Sequence, residues 1–289
     1  MIKTLLKRLY FATANLALDS ANRQAGRNQL IETLKNIVPD LSEQYTTWKI
    51  ENQESFDAKK IRSIHAFQVD LVLSSLDAIV KSNKSEKFTI VDIGDSAGSH
   101  ARYLSKLSKS LGRELRILSV NIDQDAVDRI KKSGGQAIRA KAEEVHKSEE
   151  LYQHVDMFIS FQMLEHLLNP ALFMHNIAEQ TNTNHFVITV PYVRTSRVGL
   201  KYLRRPDHVT KFGVINAENT HIFELSPEDW KLLLRFSGWR VAQERKFLMY
   251  PEKSLLYFFR FLLRRFDFEG FLGLVLERDM SDSLVYQDW

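Results

Sequence analysis

The chain has 289 residues, with 40 lysines and arginines against 36 aspartates and glutamates, a formal net charge of +4. There is no cysteine, which excludes disulfides, thiolate metal sites and a cysteine nucleophile and fits a reducing compartment. The small positive excess argues only weakly for anionic partners, and no apolar run reaches the roughly 18 residues of a membrane-spanning helix.

In residues 1–18, Lys3, Lys7 and Arg8 precede LYFATANLAL, but Thr13 and Asn15 interrupt that run. Ile2, Leu5, Leu6, Leu9 and Leu16 share one helical face, so the segment reads as an amphipathic helix rather than a leader. Leu30, Leu34, Ile37 and Val38 make a second helical face, stopped by Pro39. Tyr45, Trp48 and Phe56 are aromatic residues in polar surroundings. Residues 1–56 are therefore expected to form an N-terminal helical cap, either packed on the main domain or serving as a lid over a substrate. Ile61, Ile64, Phe67, Leu71, Val72, Leu76 and Ile79 predict a helix from Asp57 to Val80, with Arg62 and His65 about one turn apart. His65 is expected as a core or solvated histidine.

Residues 88–104 read FTIVDIGDSAGSHARYL. Phe88, Ile90, Val91 and Ile93 predict a strand buried on both faces, and Ala101, Leu104 and Leu107 a helix. Between them Gly94 and Gly98 bracket a tight turn. Such a corner brings backbone N–H groups and a positive helix end against a ligand, with no Cβ in the way. The dinucleotide fingerprint, G-x-G-x-x-G, places its first glycine straight after the strand; here an acid leads, as Asp92-x-Gly94-x-x-x-Gly98.

Leu115 to Ile122 predicts a second buried strand ending at Asp123, an acid placed to accept bonds from ribose hydroxyls. That position alone does not distinguish one adenosine cofactor from another. A helix opens at Gln124 and stops at Gly134-Gly135; Gln136 to Ala140 is a short third strand, followed by Ala142-Glu143. Val155 to Phe161 is the fourth strand, leading into QMLEHLLNP. Pro170 opens a helix to Gln180, and His185 to Val190 is the fifth strand, ending in Pro191-Tyr192.

Residues 193–225 read as a loop-like insertion rich in Arg194, Arg197, Lys201, Arg204, Arg205 and Lys211, with Asp207, His208 and His221. At the carboxyl ends of the strands it would cover the pocket, and its arginines suit phosphate or carboxylate. Ser226-Pro227-Glu228-Asp229 marks a helix start, and Gly238 its stop before a sixth strand. Arg260, Arg264 and Arg265 interleave with Phe and Leu in 251–269, an amphipathic helix that packs on the sheet or lies in a membrane surface. Phe271 to Leu276 is the seventh strand. Metal ligands show no clear constellation and no metal is expected, although Asp207-His208 could hold a divalent ion.

The motif Asp92-x-Gly94-Asp95-Ser96-Ala97-Gly98 resembles motif I of the class I S-adenosylmethionine (SAM) methyltransferases, usually D-x-G-x-G-x-G, with Ser96 in place of the middle glycine. Ala142-Glu143 resembles the family's D-A-E pattern, with Lys141 where Asp is usual, and the segment with Glu165, His166 and Pro170 resembles the VLEH segment of a type 11/23-like subfamily that includes ubiquinone-pathway enzymes. The resemblance covers about residues 57–280. It implies an α/β Rossmann-like fold with a seven-stranded sheet in the order 3-2-1-4-5-7-6 and helices on both faces, followed by a tail, 281–289.

The same resemblance implies SAM as methyl donor and S-adenosylhomocysteine as product. Asp92, Gly94, Asp95, Ser96, Ala97, Gly98, Asp123, Gln124, Ala142, Glu143, Phe161, Gln162 and Met163 are the implied cofactor-binding residues. His166, His208 and His221 are candidate general bases, and Arg194, Arg197, Arg204 and Arg205 candidate substrate-binding residues. The expected reaction is O-methylation of a bacterial glycan or a lipid-linked, anionic precursor by a cytoplasmic enzyme, with peripheral contact at the inner membrane face. The alternatives are a small-molecule methyltransferase of quinone or secondary metabolism, a SAM-binding protein without transfer activity, and a nicotinamide-dependent oxidoreductase. Val190-Pro191-Tyr192 lacks the Asp or Asn of amino-methylating nucleic-acid enzymes, which places a nucleic-acid acceptor behind these.

Overall fold

Phe88 and Ile90 point to one side of the first strand, Val91 and Ile93 to the other, and all four are fully buried. That two-sided burial sets the architecture, because a strand apolar on both faces needs a layer of helices on each. The computed structural model describes residues 2–46, 48–82, 87–110, 112, 114–148, 155–199, 220–259 and 270–286. The helices are α1 (Ile2–Gln24), α2 (Asn28–Ile37), α3 (Phe56–Ser82), α4 (Ser99–Ser110), α5 (Gln124–Lys132), α6 (Pro170–Gln180) and α7 (Pro227–Phe236). The strands are β1 (Lys87–Ile93), β2 (Glu114–Asn121), β3 (Gln136–Arg139), β4 (Met157–Phe161), β5 (His185–Tyr192), β6 (Arg197–Val198), β7 (Phe223–Glu224), β8 (Trp239–Leu248) and β9 (Gly270–Arg278).

Seven strands form one sheet in the order β3-β2-β1-β4-β5-β9-β8. Six of them, β1 to β5 and β8, run in one direction, and β9 alone inserts antiparallel between β5 and β8. Counting only the strands of this sheet, the order is the expected 3-2-1-4-5-7-6. The order reverses at β1, so β1 and β4 diverge toward different neighbours and leave a crevice at their carboxyl ends.

One face of the sheet packs Val91, Ile93, Phe158, Phe186 and Leu274 under Phe173 and Ile177 of α6 and Trp230 and Leu234 of α7. The opposite face packs Ile90, Met157, Ile159 and Val187 under α3 and under Tyr103 and Leu104 of α4. Helix starts follow their caps: Asn169 accepts from Leu172 N (3.0 Å), and Ser226 from Asp229 N (3.3 Å). Gly238, at φ +90°, ends α7 in the left-handed conformation that only glycine adopts without strain.

The N-terminal segment is built onto this domain. Ala14 and Leu18 of α1 join Phe56, Ile64 and Phe67 of α3 and Phe247 and Phe271 of the sheet. Arg62 of α3 donates to the carbonyls of Val38 (2.9 Å) and Pro39 (2.6 Å), so the chain beyond α2 is anchored from inside. Leu5, Leu6, Leu9 and Leu16 remain exposed along α1.

Two stretches differ from the sequence reading, and the tail, to which it assigns no element, takes on a turn. Within 193–225, β6 and β7 pair as a short antiparallel ladder; residues 200–219, with Arg204, Arg205, Asp207 and His208, lie outside the described residues. In 251–269 the chain makes a short 3₁₀ turn, Leu255–Phe259, and 260–269, with all three arginines, lies outside them too. The tail forms a 3₁₀ turn at Ser283–Tyr286. Among the described residues no helix is long and apolar enough to cross a membrane.

Gly273 of β9 sets how closely α3 approaches the sheet. A Cβ there would stand 2.7 Å from Phe67 Cζ and 2.8 Å from Leu71 Cδ2. Gly273→Val should therefore overpack this interface and cost about 1–3 kcal/mol. Urea unfolding should show a lower midpoint with an unchanged slope.

Candidate active site

The corner after β1 is held by one carboxylate. Asp95 is buried; its Oδ1 accepts from the backbone N–H of Ala97 (3.1 Å) and Gly98 (2.8 Å), and its Oδ2 from the Ser119 hydroxyl (2.7 Å). Gly94 N donates to Val120 O at 2.8 Å, and Asn121 Nδ2 to Asp95 O at 2.8 Å. Gly94 (φ +93°) and Gly98 (φ +70°) take left-handed conformations that the turn requires. Asp95 thus closes the loop on itself and onto β2, so its carboxylate shapes the site rather than facing a ligand.

Asp123 caps α5 through Asp125 N (3.0 Å), and its second oxygen accepts from the Thr46 hydroxyl at 3.1 Å. Thr46 belongs to a strap from the N-terminal segment that crosses the corner. Ser96 Oγ donates to Gln44 O (2.7 Å), Ser99 Oγ to Gln44 Oε1 (2.8 Å), and Arg129 to the carbonyls of both Glu43 (3.0 Å) and Ser96 (2.9 Å). Tyr45 and Trp48 stack at 4.8 Å within the same strap. Ser96 thereby anchors the strap through its hydroxyl, a role that a glycine in its place could not fill.

Across the crevice, β4 ends in Phe161, Gln162 and Met163. Gln162, at φ +56°, is the only non-glycine among the described residues with a positive φ. Such strain is sustained where the surroundings over-determine it, commonly at functional sites; here Gln162 N is tied to Thr189 O at 2.8 Å. The Met163 side chain lies where a Cβ on Gly94 would be, 2.9 Å from its Cγ. Phe161 packs against His100, ring centroids 4.6 Å apart.

His100 and Asp92 meet beneath this wall, Nδ1 to Oδ2 at 4.0 Å, both buried. His100 Nε2 lies 2.9 Å from Gln68 Oε1, an acceptor, so Nε2 carries the hydrogen. Burial lowers His100 to about 4, against the pull of Asp95, and burial together with the Asp95 charge raises Asp92 well above the carboxylate range. Asp92 Oδ2 has no hydrogen-bond partner among the described residues.

The LEH segment builds the second half of the site. Glu165 is fully buried, and neither carboxylate oxygen has a hydrogen-bond partner among the described residues. Burial pushes its carboxyl up to about 7, opposed by His221. His166 Nδ1 donates to Thr220 O at 2.8 Å, and its Nε2 is 4.0 Å from Glu165 Oε1. His221 Nδ1 meets Glu224 Oε1 at 2.8 Å, and the His166 and His221 rings stand perpendicular at 4.8 Å. Burial lowers the charge on His221, but the bond to Glu224 and the field of Glu165 outweigh it and raise the group overall. Ile222 N donates to Glu165 O at 2.7 Å, which fixes the His221 strand against the LEH turn.

The structure thus brings His166 and His221 together. Arg197 does not face outward as a substrate ligand: its Nε donates to Glu224 Oε2 at 2.6 Å. Arg194 is exposed at the start of the insertion, and Gln124 bonds to Asp128 on the surface of α5. Ala142 and Glu143, half-buried, open a 3₁₀ turn after β3. Sequence reasoning missed Glu224, Gln44 and Thr46. Glu224 lies three residues after His221 but in a two-residue strand rather than a helix, so the spacing did not mark a shared face, and the strap carries no motif at all.

No family model matches the sequence, and no curated protein matches it. Solved structures do. A complex of the Haloferax volcanii Trm112 methyltransferase activator with a methyltransferase matches at 14% identity and TM-score 0.47, over 78% of this chain and 96% of that one. A SAM-dependent methyltransferase from Mesorhizobium loti matches at 16% identity and TM-score 0.46, over 72% and 100%. One from Archaeoglobus fulgidus matches at 17% and 0.43, over 73% and 94%. The likeness is one of fold.

His100 gives the site a pH signature. Its folded value of about 4 lies below the ordinary 6.5, so between these the unfolded chain takes up a proton that the folded chain refuses, and stability falls as pH drops. Asp92, whose value is raised, works in the opposite sense above its ordinary range, so the comparison is made against a variant. Between pH 7 and pH 5 the wild type should lose about 2 kcal/mol more than His100→Gln, read by urea unfolding at the two pH values.

Proposed function

We propose that this chain is a SAM-dependent methyltransferase. The observation that carries the reading is Asp123: at the carboxyl end of β2, beside the glycine corner of β1, its carboxylate already accepts a hydroxyl, from Thr46. Ribose hydroxyls are the same kind of donor. Two further observations fit the group: Asp92 offers a buried oxygen without a partner among the described residues, and Gln162 is strained at the facing strand end. When bound, SAM supplies an electrophilic methyl on a sulfonium.

The chain's own residues would then divide the work. Asp123 holds the sugar, and Gly94 and Gly98 keep side chains off the approach to the turn. Phe161, Gln162 and Met163 line the side toward β4. Fixing an acceptor in line supplies roughly 7–11 kcal/mol of the barrier reduction. An alcohol acceptor also surrenders a proton as its oxygen takes the methyl, and His166 and His221 stand at this end of the sheet to manage it, typically worth roughly 10²–10⁴-fold.

The acceptor we favour is a hydroxyl of a glycan or lipid-linked, anionic precursor. Arg194 begins the insertion, Leu5, Leu6, Leu9 and Leu16 lie exposed on α1 near Arg8, and Leu255 and Phe258 are exposed on a neighbouring turn. Gln24, at the far end of α1, donates to Lys253 O at 3.0 Å, which ties that end of the helix to the chain leading into the turn. Sedimentation with anionic lipid vesicles should carry the protein down, and Leu5→Glu with Leu9→Glu should abolish it. A protein that stays in the supernatant and methylates a soluble acceptor would remove the lipid-linked reading.

The cofactor reading has its own test. Asn caps helices as well as Asp, so Asp123→Asn keeps α5 capped while removing the charge. Calorimetry should show S-adenosylhomocysteine, and not NAD, binding the wild type, with at least about tenfold weaker binding to Asp123→Asn, in line with the loss of a charge-assisted bond. Equal binding by both proteins would take Asp123 out of the site.

A further inference from the structure

We propose that Glu165, His166 and His221 bind one divalent transition-metal ion, with Glu224 and the Thr220 carbonyl orienting the two imidazoles. One ligand atom from each of the three residues lies within 4.8 Å of the others, and His166 Nε2 and Glu165 Oε1 are already 4.0 Å apart. Bonds of roughly 2.0–2.2 Å at a tetrahedral angle set ligand atoms about 3.3–3.6 Å apart, so the widest pair would close by about 1.2–1.5 Å around a shared ion.

Glu165 is the reason to expect an ion. It is fully buried with both oxygens lacking a hydrogen-bond partner among the described residues. A buried carboxylate in that condition is costly unless a proton or a cation neutralises it. Glu224, by contrast, is engaged by Arg197 and His221. Among the described residues two carboxylates face one guanidinium, so with Glu165 ionised and the histidines neutral they carry one negative charge in excess, which a dication offsets.

The histidines are prepared in the manner of metal ligands. A carbonyl oxygen only accepts, so the 2.8 Å bond from His166 Nδ1 to Thr220 O puts the hydrogen on Nδ1 and makes Nε2 the ligand atom. Glu224 does the same for His221 through Nδ1. The two rings stand perpendicular with centroids 4.8 Å apart, and the Ile222–Glu165 backbone bond holds both halves in register. The other cluster of this kind, Asp92, Asp95 and His100, lacks this preparation, because the Asp95 carboxylate is already taken up by Ala97, Gly98 and Ser119.

Two imidazoles and one carboxylate suit Zn²⁺, Fe²⁺, Co²⁺ or Mn²⁺ and leave coordination positions open. The cluster begins two residues after Met163, the side chain over Gly94. An open position there would take an acceptor oxygen and lower its pKa, as metal-bound water shows, and with the ion bound this replaces direct proton removal by His166 or His221, whose Nε2 atoms the ion occupies. That role rests on the methyl-transfer reading; binding of the ion does not.

The test is titration of chelator-treated full-length protein with Co²⁺, followed by its visible absorption and by calorimetry, with Zn²⁺ as competitor. One equivalent should bind and be displaced by Zn²⁺. Glu165→Gln and His221→Gln should each weaken binding at least about 100-fold, and Glu224→Gln about tenfold through the imidazole it orients. Glu165→Gln removes a buried charge and should fold at least as stably, which circular dichroism checks. Stoichiometric Co²⁺ binding without S-adenosylhomocysteine binding would uphold the metal site and overturn only the cofactor reading. No Co²⁺ or Zn²⁺ bound by the wild type, or equal binding by a folded Glu165→Gln, would overturn the proposal.

Discussion

The buried Asp95 carboxylate is the constraint on which the site depends. Three donors from two elements converge on it: the Ala97 and Gly98 amides of its own turn and the Ser119 hydroxyl of β2. Charge-assisted bonds of this kind are stronger than neutral ones, and leaving any of the donors unmet inside the protein is expensive. The turn therefore has one low-energy shape, which requires left-handed backbone at Gly94 and Gly98. It also fixes β1 against β2, and so fixes the distance between the corner and Asp123.

Onto this rigid corner the chain adds two pieces that come from far away in sequence. The strap of Glu43, Gln44 and Thr46 arrives from the N-terminal segment and is tied down through Ser96, Ser99 and Arg129. The ladder of Arg197 and Glu224 arrives from the insertion after β5 and carries His221 to the LEH turn. One covers the side where a sugar would lie; the other builds the polar wall beyond Met163. Both are held by hydrogen bonds rather than by deep apolar packing, which suits segments that must admit a ligand.

The fold was legible because its signals are local. Apolar β-branched runs, glycine stops and Ser or Asn caps mark each element, and the sheet order followed from the family resemblance carried by DIGDSAG and LEH. The corner was legible for the same reason. The polar wall was not. Glu224 matters because Arg197, His221 and Glu165 surround it, and sequence spacing gives no hint that residues 165, 197 and 224 meet. Arg197 read as a surface cation for a substrate, yet it pairs with a carboxylate buried by the same fold. The strap escaped notice because its contacts use main-chain carbonyls, a threonine and a glutamine, which have no pattern of their own. Asp95, counted among the ligand-facing residues, turned inward because the turn needs an acceptor more than the crevice does.

The central claim is that the β1 corner and Asp123 together grip one adenosyl group. Its most direct measurement is a crystal structure of the protein with S-adenosylhomocysteine. The account predicts both ribose hydroxyls within hydrogen-bond distance of the Asp123 carboxylate, with the Thr46 hydroxyl displaced from it. Asp123 still bonded to Thr46, with the ligand absent or seated elsewhere at saturating concentration, would contradict it.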